Sequence, residues 1–435
     1  MAEGLFDGRY RYDYIYPRGR SGETLRAYDT QNNDRPVVIK RPAPNDAPPI
    51  RAGQEVSIIT ERDALRTLAE HPVLTELLDE GHFIVGGTSH RYIVMERAEG
   101  TVIADEVFVL AERGERIPTL EMLVFIDNLL DLLQTAHARD TVYNDVDAKH
   151  LFWDRDAYRL KLIDWGNAVF LEGDTITSNG ISKQTDVYQV GELLYFMLTG
   201  GGRAEVPRDA EPSWAVDFKE STEATPPDLA RITSTALHPN PRHRYKGIAE
   251  LRRALADARK PHEAERNAVL ARVNERLRRD RSKDELFDLR RTLQPAVEMD
   301  PGYPATRAAG EEIEARLMDL QIGADLDAAR IYLEAAAWRN AADILGDLKS
   351  SARGETLKIV KLLFDWSVLM LEDPNAAYTD ALHTALGQVF DGEWEGAAHT
   401  LVLAPSPDAA TRAAGEEIEA RLMDLQIGAD LDAAR

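Results

Sequence analysis

Between residues 10 and 100, short apolar runs of strand length recur, at Arg35 to Lys40, His82 to Gly86 and Arg91 to Glu96. One stretch has a different period. From about Glu55 to Glu70, Ile58, Leu65 and Leu68 recur at helical spacing. His71-Pro72 closes it, because proline disfavours helical backbone at the residue before it. Strands, one helix, then strands predict a small sheet with a helix packed on it. From about Thr119 the period becomes mainly helical. Leu120 to Ala138 is one helix, Thr141 to Val169 is a strand-and-loop section, and Asp186 to Thr199 is a strongly apolar helix stopped by Gly200 to Gly202. Pro207 to Pro227 reads as a loop, and a further helix ends near His238, before Pro239-Asn240-Pro241. Past Lys260 the chain turns to Ala, Leu, Glu and Arg at helical period with almost no strand signal. Residues 259–285 are expected to form a bridging helix that leads into a second, all-helical domain.

Composition narrows the class of partner. The chain has 435 residues, enough for two or three domains. Its formal charge is −23 with no concentrated run of Lys and Arg, which argues against phosphate backbones and anionic membranes as partners of the whole chain. There is no cysteine, which excludes disulfides, thiolate metal sites and cysteine nucleophiles. No stretch approaches about 20 uninterrupted apolar residues, the length a membrane span requires. The most apolar late stretch, Leu357 to Leu371, is interrupted by Lys358, Lys361 and Asp365 and reads as a buried helix. Met1 to Arg11 lacks a basic-then-apolar signal pattern. The expected compartment is the cytoplasm.

The candidate chemistry lies on both sides of the strand–helix boundary. Gly19, Arg20, Ser21 and Gly22 form a loop between two strand-like runs, and glycines let backbone approach phosphates closely. Lys40 closes the apolar run Val37-Val38-Ile39 and can point its ammonium into the cleft that the sheet faces. Glu61 shares a helix face with Leu65 and Leu68 and can pair with Lys40, fixing it on a nucleotide phosphate. Asp145 in Tyr143-Asn144-Asp145 and Asp164 in Asp164-Trp165-Gly166 follow a helix and a strand respectively. Two acids on such loops can meet in one cleft, one orienting a hydroxyl for attack and the other holding a divalent cation on phosphate oxygens.

These residues, in this order, resemble the eukaryotic-type protein kinases. Gly19 and Gly22 resemble the second and third glycines of the Gly-rich loop, Lys40 the phosphate-binding lysine, Glu61 its helix partner, and Val94-Met95-Glu96 the entry to the hinge. Asp145 resembles the catalytic aspartate, Asp164-Trp165-Gly166 the metal-binding Asp-Phe-Gly, Asp186 to Gly191 the start of the long central helix, and Arg244 the arginine that closes the domain. The resemblance covers about residues 9–258. It implies a bilobal α+β fold, ATP with Mg²⁺ or Mn²⁺, and transfer of the γ-phosphate to Ser or Thr hydroxyls. Catalysis then falls to Asp145 and Lys40, cofactor binding to Gly19, Gly22, Lys40, Glu61, Glu96 and Asp164, and the metal to Asp164 and His150.

Five departures bear on that implication. Pro17 replaces the first loop glycine, and Asp147 the lysine two residues after the catalytic aspartate. His150 replaces the metal-binding asparagine, as it does in the related bacterial lipopolysaccharide-core kinases; imidazole suits Mg²⁺ less well than oxygen does. Asn144 replaces the arginine that receives an activation-loop phosphate. The interval from Asp164 to Asp186 is short and lacks Ala-Pro-Glu, so the platform that docks peptide substrates is reduced and Arg244 loses its expected glutamate partner. The alternative is a pseudokinase, a scaffold that acts through its helical domain. Tyr143 and Trp165, in place of His and Phe, read as core aromatics.

Residues 286–435 carry degenerate tetratricopeptide-like patterns. Trp338-x-x-Ala341-x-x-x-Leu345 and Trp394-x-x-Ala397-x-x-x-Leu401 resemble second helices, and Ala329 and Tyr332 fit a first. An ordinary helical bundle fits almost as well, and either is expected to bind a protein partner. Residues 305–330 and 410–435 are identical, which points to recent duplication or to an artificial joining of sequence. The two copies are expected to compete for one packing site, with Leu317 better ordered than Leu422.

Overall fold

The structure is a computed structural model and describes residues 4–173, 175–279, 282–372, 380–402, 415–416 and 420. It divides into two compact units. The first holds residues up to Arg276 together with Arg291–Gly310, and the second holds Leu277–Arg290 and the chain from Glu311 onward.

The first unit is α+β and has two lobes. Its sheet lobe comprises β1 (Gly4–Phe6), β2 (Tyr10–Ile15), β3 (Glu23–Asp29), β4 (Arg35–Arg41), β5 (Leu77–Val85) and β6 (Thr88–Glu96), in the order β1-β2-β3-β4-β6-β5 and antiparallel throughout. Alternate residues of β3 and β4 (Leu25, Ala27, Val37, Ile39) fill the core on one face with Tyr92 and Val94, as the two-residue strand period requires. Across the sheet lies α1 (Pro48–Thr67), which buries Ile58, Glu61, Ala64 and Leu65. This helix begins at Pro48 rather than at Glu55. Pro48 and Pro49 take its first positions, where the missing N–H costs nothing.

The helical lobe follows a short strand, β7 (Thr101–Val102). It contains α2 (Ile103–Glu112), α3 (Thr119–Ala138), α4 (Lys183–Thr199) and α5 (Pro227–Leu237), with hairpin β9 (Leu151–Asp154) to β10 (Arg159–Leu162) and the two-residue pair β8 (Thr141–Val142) and β11 (Val169–Phe170). The apolar face of α3 is buried among Val187, Val190 and Leu194 of α4 and Leu151, Trp153 and Leu160 of the hairpin. Ser182 caps α4, and Gly200, left-handed at φ 71°, ends it.

The bridging helix expected over 259–285 has other bounds. One helix, α6, runs from Ile248 to Leu277, and α7 (Lys283–Met299) starts after a break. The helical period of 259–277 is continuous with that of 248–258, so no boundary forms at 258. The turn after α7 docks on the β9–β10 hairpin within the first unit. Asp300, fully buried, accepts hydrogen bonds at 2.7 Å from both Arg266 and the Tyr158 hydroxyl. Arg266 also stacks on Tyr303 at 3.4 Å, and Gly302 packs against Arg155.

The second unit is all-helical among its described residues. It draws on α8 (Pro304–Glu334), α9 (Trp338–Ser351), α10 (Gly354–Glu372), α11 (Asp380–Phe390) and α12 (Trp394–Val402). Its core joins Ile322, Ala329 and Leu333 to Ala341, Leu345, Leu363, Trp394, Ala397 and Leu401. The small residues three positions after Trp338 and Trp394 are both fully buried, so the helices meet closely there. The first identical copy lies in α8, and Leu422 in the second lies outside the described residues. No helix among the described residues is long and apolar enough to cross a membrane.

Candidate active site

Lys40 is the penultimate residue of the inner strand β4, and its side chain is buried. Its ammonium donates to both Glu61 oxygens, at 2.8 and 2.7 Å, and to Asp164 Oδ1 at 2.9 Å. Burial opposes the charge on Lys40, but Glu61 and Asp164 outweigh it and raise the pKa. Asp164 is likewise penalised by burial, and the Lys40 charge outweighs that and holds its carboxyl below the usual range. Glu61 also accepts from the Trp165 N–H at 3.3 Å. Three residues separated by up to 124 positions thus form one ionic cluster.

The loop carrying Asp145 is held from beneath by α4. Buried Asp186 accepts from the N–H groups of Tyr143 (3.0 Å) and Asn144 (2.8 Å) and contacts His137 Nε2 at 2.7 Å. Gln189 accepts from the Val146 N–H and donates to the Asn144 carbonyl. Asn144, with φ 63°, turns the chain so that Asp145 faces outward. Asn167 Nδ2 donates to Asp145 Oδ2 at 2.9 Å. The Tyr143 and Trp165 rings meet edge-on at 4.7 Å, both fully buried.

His150 lies between the two acids, with Nδ1 3.8 Å from Asp145 Oδ2 and Nε2 3.6 Å from Asp164 Oδ2. Its Nδ1 also lies 3.1 Å from the Asp145 carbonyl and 3.3 Å from the Tyr143 oxygen, which gives its own proton to the Ile163 carbonyl. Both neighbours of Nδ1 act as acceptors, so Nδ1 carries the proton. His150 Nε2 faces the Asp164 carboxylate at 3.6 Å, a pairing of nitrogen and oxygen donors that suits a cation held between them. Among the described residues no group of three or more acids or histidines could hold a metal by itself. Mg²⁺ and similar ions are commonly held by one or two carboxylates plus phosphate oxygens and water. The donor set therefore fits a cation that arrives with a phosphate ligand.

The glycine-containing loop closes by a bridge between Gly19 and Gly22. Gly22 has φ 103°, and a Cβ there would stand 2.3 Å from the Arg41 carbonyl oxygen, so only glycine fits. The Glu96 side chain points away from this cluster. It accepts from Lys161 Nζ at 2.8 Å and from the Glu76 N–H at 3.1 Å, leaving only its backbone to line the cleft.

A profile of the protein kinase domain matches residues 16–245, just over half of the chain. The chain belongs to the protein kinase family. Its relatives include the serine/threonine-protein kinase PknG of Mycobacterium leprae (strain TN), 25% identical over 265 residues that make up 56% of this chain and 32% of the relative. The serine/threonine-protein kinase PknL of Mycobacterium bovis is 25% identical over 275 residues, 56% of this chain and 64% of its own. PknG of Mycolicibacterium smegmatis is 27% identical over 258 residues, 56% and 31% respectively. The chain spans less than two thirds of the length of each.

The departures from the kinase pattern have local explanations. The Asp147 carboxylate caps the turn at 148–150 through the Lys149 N–H at 3.0 Å, and the Lys149 ammonium lies 3.1 Å away. Burial opposes its ionisation, but these contacts hold the carboxyl below the usual range. Arg244, without a glutamate partner in sequence, donates to the His238 and Pro239 carbonyls and lies over the Tyr188 ring at 4.7 Å. Asn144 donates to the Asn167 carbonyl instead of serving a phosphate. Sequence reasoning missed Asn167, Gln189 and Ser57. Asn167 directly follows the Asp-Trp-Gly motif, and that adjacency was the one available signal.

Proposed function

We propose that this kinase domain transfers the γ-phosphate of ATP to Ser or Thr hydroxyls, and that the helical unit binds a protein partner. The observation that carries the reading is the three-way contact of Lys40, Glu61 and Asp164, all within 2.9 Å, beside an outward-facing Asp145 oriented by Asn167. In this reading Lys40 holds nucleotide phosphates and Glu61 fixes Lys40. Backbone at Gly19, Gly22 and Glu96 lines the nucleotide cleft, and Asp145 accepts the acceptor hydroxyl's proton. Asp164 and His150 would hold Mg²⁺ or Mn²⁺, which would neutralise charge on the phosphates. The serine/threonine-kinase names of the relatives support the acceptor class. The small residues buried between helices of the second unit support a tetratricopeptide-like binding surface. On this reading the first unit holds the catalytic region and the second the interaction region. The absence of cysteine supports a reducing compartment such as the cytoplasm.

A second reading, a nucleotide-binding scaffold without transfer, is favoured by Asp147. It places a negative charge where the family has a lysine, beside Glu192, whose pKa is raised by burial and by Asp147 itself. Labelled ATP with Mg²⁺ or Mn²⁺ separates the two. The catalytic reading expects transfer by the wild-type chain and loss of it in Asp145→Asn. Thermal stabilisation by ATP with no transfer from either protein selects the scaffold, and no stabilisation removes nucleotide binding altogether.

A further inference from the structure

Ser57 lies one helical turn before Glu61 on α1, so the two share a face. Its Oγ lies 3.1 Å from Ser21 Oγ, in the glycine-containing loop, and 3.1 Å from the Gly166 carbonyl oxygen of Asp-Trp-Gly. A hydroxyl has one proton and the carbonyl can only accept. Ser57 therefore donates to Gly166 and accepts from Ser21, giving a directed relay from loop to helix to metal-binding turn. Gly166 is shaped for this contact. A Cβ at 166 would stand 2.2 Å from Ser57 Oγ and 3.4 Å from both Ser21 Oγ and Asp164 Oδ1. The two serine hydroxyls thus crowd the space that any other residue's side chain would need.

We propose that Ser57 is a positioning residue that couples closure of the 19–22 loop over the nucleotide phosphates to the inward position of α1. The coupling follows from the shared face. With Glu61 turned onto Lys40, Ser57 sits beneath Ser21. Any rotation of α1 that withdraws Glu61 withdraws the loop's anchor too. Phosphate closure and lysine positioning are then one event. The inference rests on the nucleotide-binding reading above, and its test is built so that the two can fail separately.

The full-length chain is compared with Ser57→Ala, Ser57→Thr, Ser21→Ala and the double alanine variant. In nucleotide-free protein, hydrogen exchange over residues 18–24 is expected to quicken by about three- to tenfold in each alanine variant, the size of one hydrogen bond. The double variant should be no faster than either single variant, because both remove the same bond. Ser57→Thr, which keeps the hydroxyl, should restore protection. Binding of Mg²⁺ with a non-hydrolysable ATP analogue should weaken by a similar factor in Ser57→Ala, while adenosine, lacking phosphates, binds both proteins alike. Unchanged loop exchange in Ser57→Ala, additive single effects, or an equal loss for adenosine would overturn the proposal. Failure of the wild-type chain to bind the analogue strikes the nucleotide reading, and with it the phosphate half of this proposal; the exchange comparison still decides the relay.

Discussion

Replacing Asp300 with alanine tests whether the turn after α7 is part of the kinase lobe. In the wild type, one Asp300 oxygen takes both the Arg266 guanidinium and the Tyr158 hydroxyl at 2.7 Å, while Oδ1 is buried without a hydrogen-bond partner among the described residues. Burial raises the Asp300 pKa despite these contacts, so the pair is not itself a large source of stability. The cost arises when it is broken. Alanine leaves the Arg266 side chain, 5% exposed, without its counter-charge. Removing one member of a buried ion pair costs about 3–5 kcal/mol, most of it from the stranded cation. At about 1.36 kcal/mol per power of ten, that is roughly a hundred- to several-thousandfold loss of protection. The assay is native-state hydrogen exchange at amides 151–162, which reports this lobe without averaging over two units. The double variant Asp300→Leu with Arg266→Met should recover most of the loss, because it removes both charges and keeps the volume. A loss below tenfold in Asp300→Ala, or no recovery in the double variant, would refute the reasoning.

Other outcomes follow from the site. Gly22→Ala combines a positive φ with a clash against backbone; it should cost roughly 1–3 kcal/mol from backbone strain alone, read as a lower urea midpoint. His150→Asn exchanges a nitrogen donor for an amide oxygen, so the Mg²⁺ concentration needed for half-maximal nucleotide binding should fall relative to that for Mn²⁺; an unchanged ratio would remove His150 from the metal site. Stability should also depend on pH through the depressed carboxyls. Asp29 is lowered by its hydrogen bonds to Arg9, and Asp164 by Lys40 against burial. Lowered folded values mean that their stabilisation is complete above the ordinary aspartate value of 3.8 and is lost as pH falls through the depressed values. Urea midpoints should therefore drop below about pH 4, and Arg9→Gln should flatten the part of that drop due to Asp29.

Much of the kinase lobe was legible from local signals. Apolar periods marked β4, β5, β6, α3 and α4, because a residue's neighbours at two or four positions decide which face it shows. Motif order singled out Lys40, Glu61, Asp145 and Asp164, and the structure brings Lys40, Glu61 and Asp164 into direct contact. Where the sequence misled, a local rule met a competing one. The helix expected from about Glu55 begins at Pro48, and the helix expected to begin past 258 continues α6.

What only the tertiary structure decided are the contacts without a period. Asn167 reaches Asp145 across 22 residues, Ser57 reaches Gly166 across 109, and Tyr158 reaches Asp300 across 142. The Glu96 side chain follows Lys161 rather than the cleft. Spacing along the chain sets which face of its own element a side chain occupies. Which partner it meets depends on where two elements cross, and that is settled by packing of the whole core. The sequence by itself therefore determined the elements and the identity of the charged groups, while the fold determined which donor serves which acceptor.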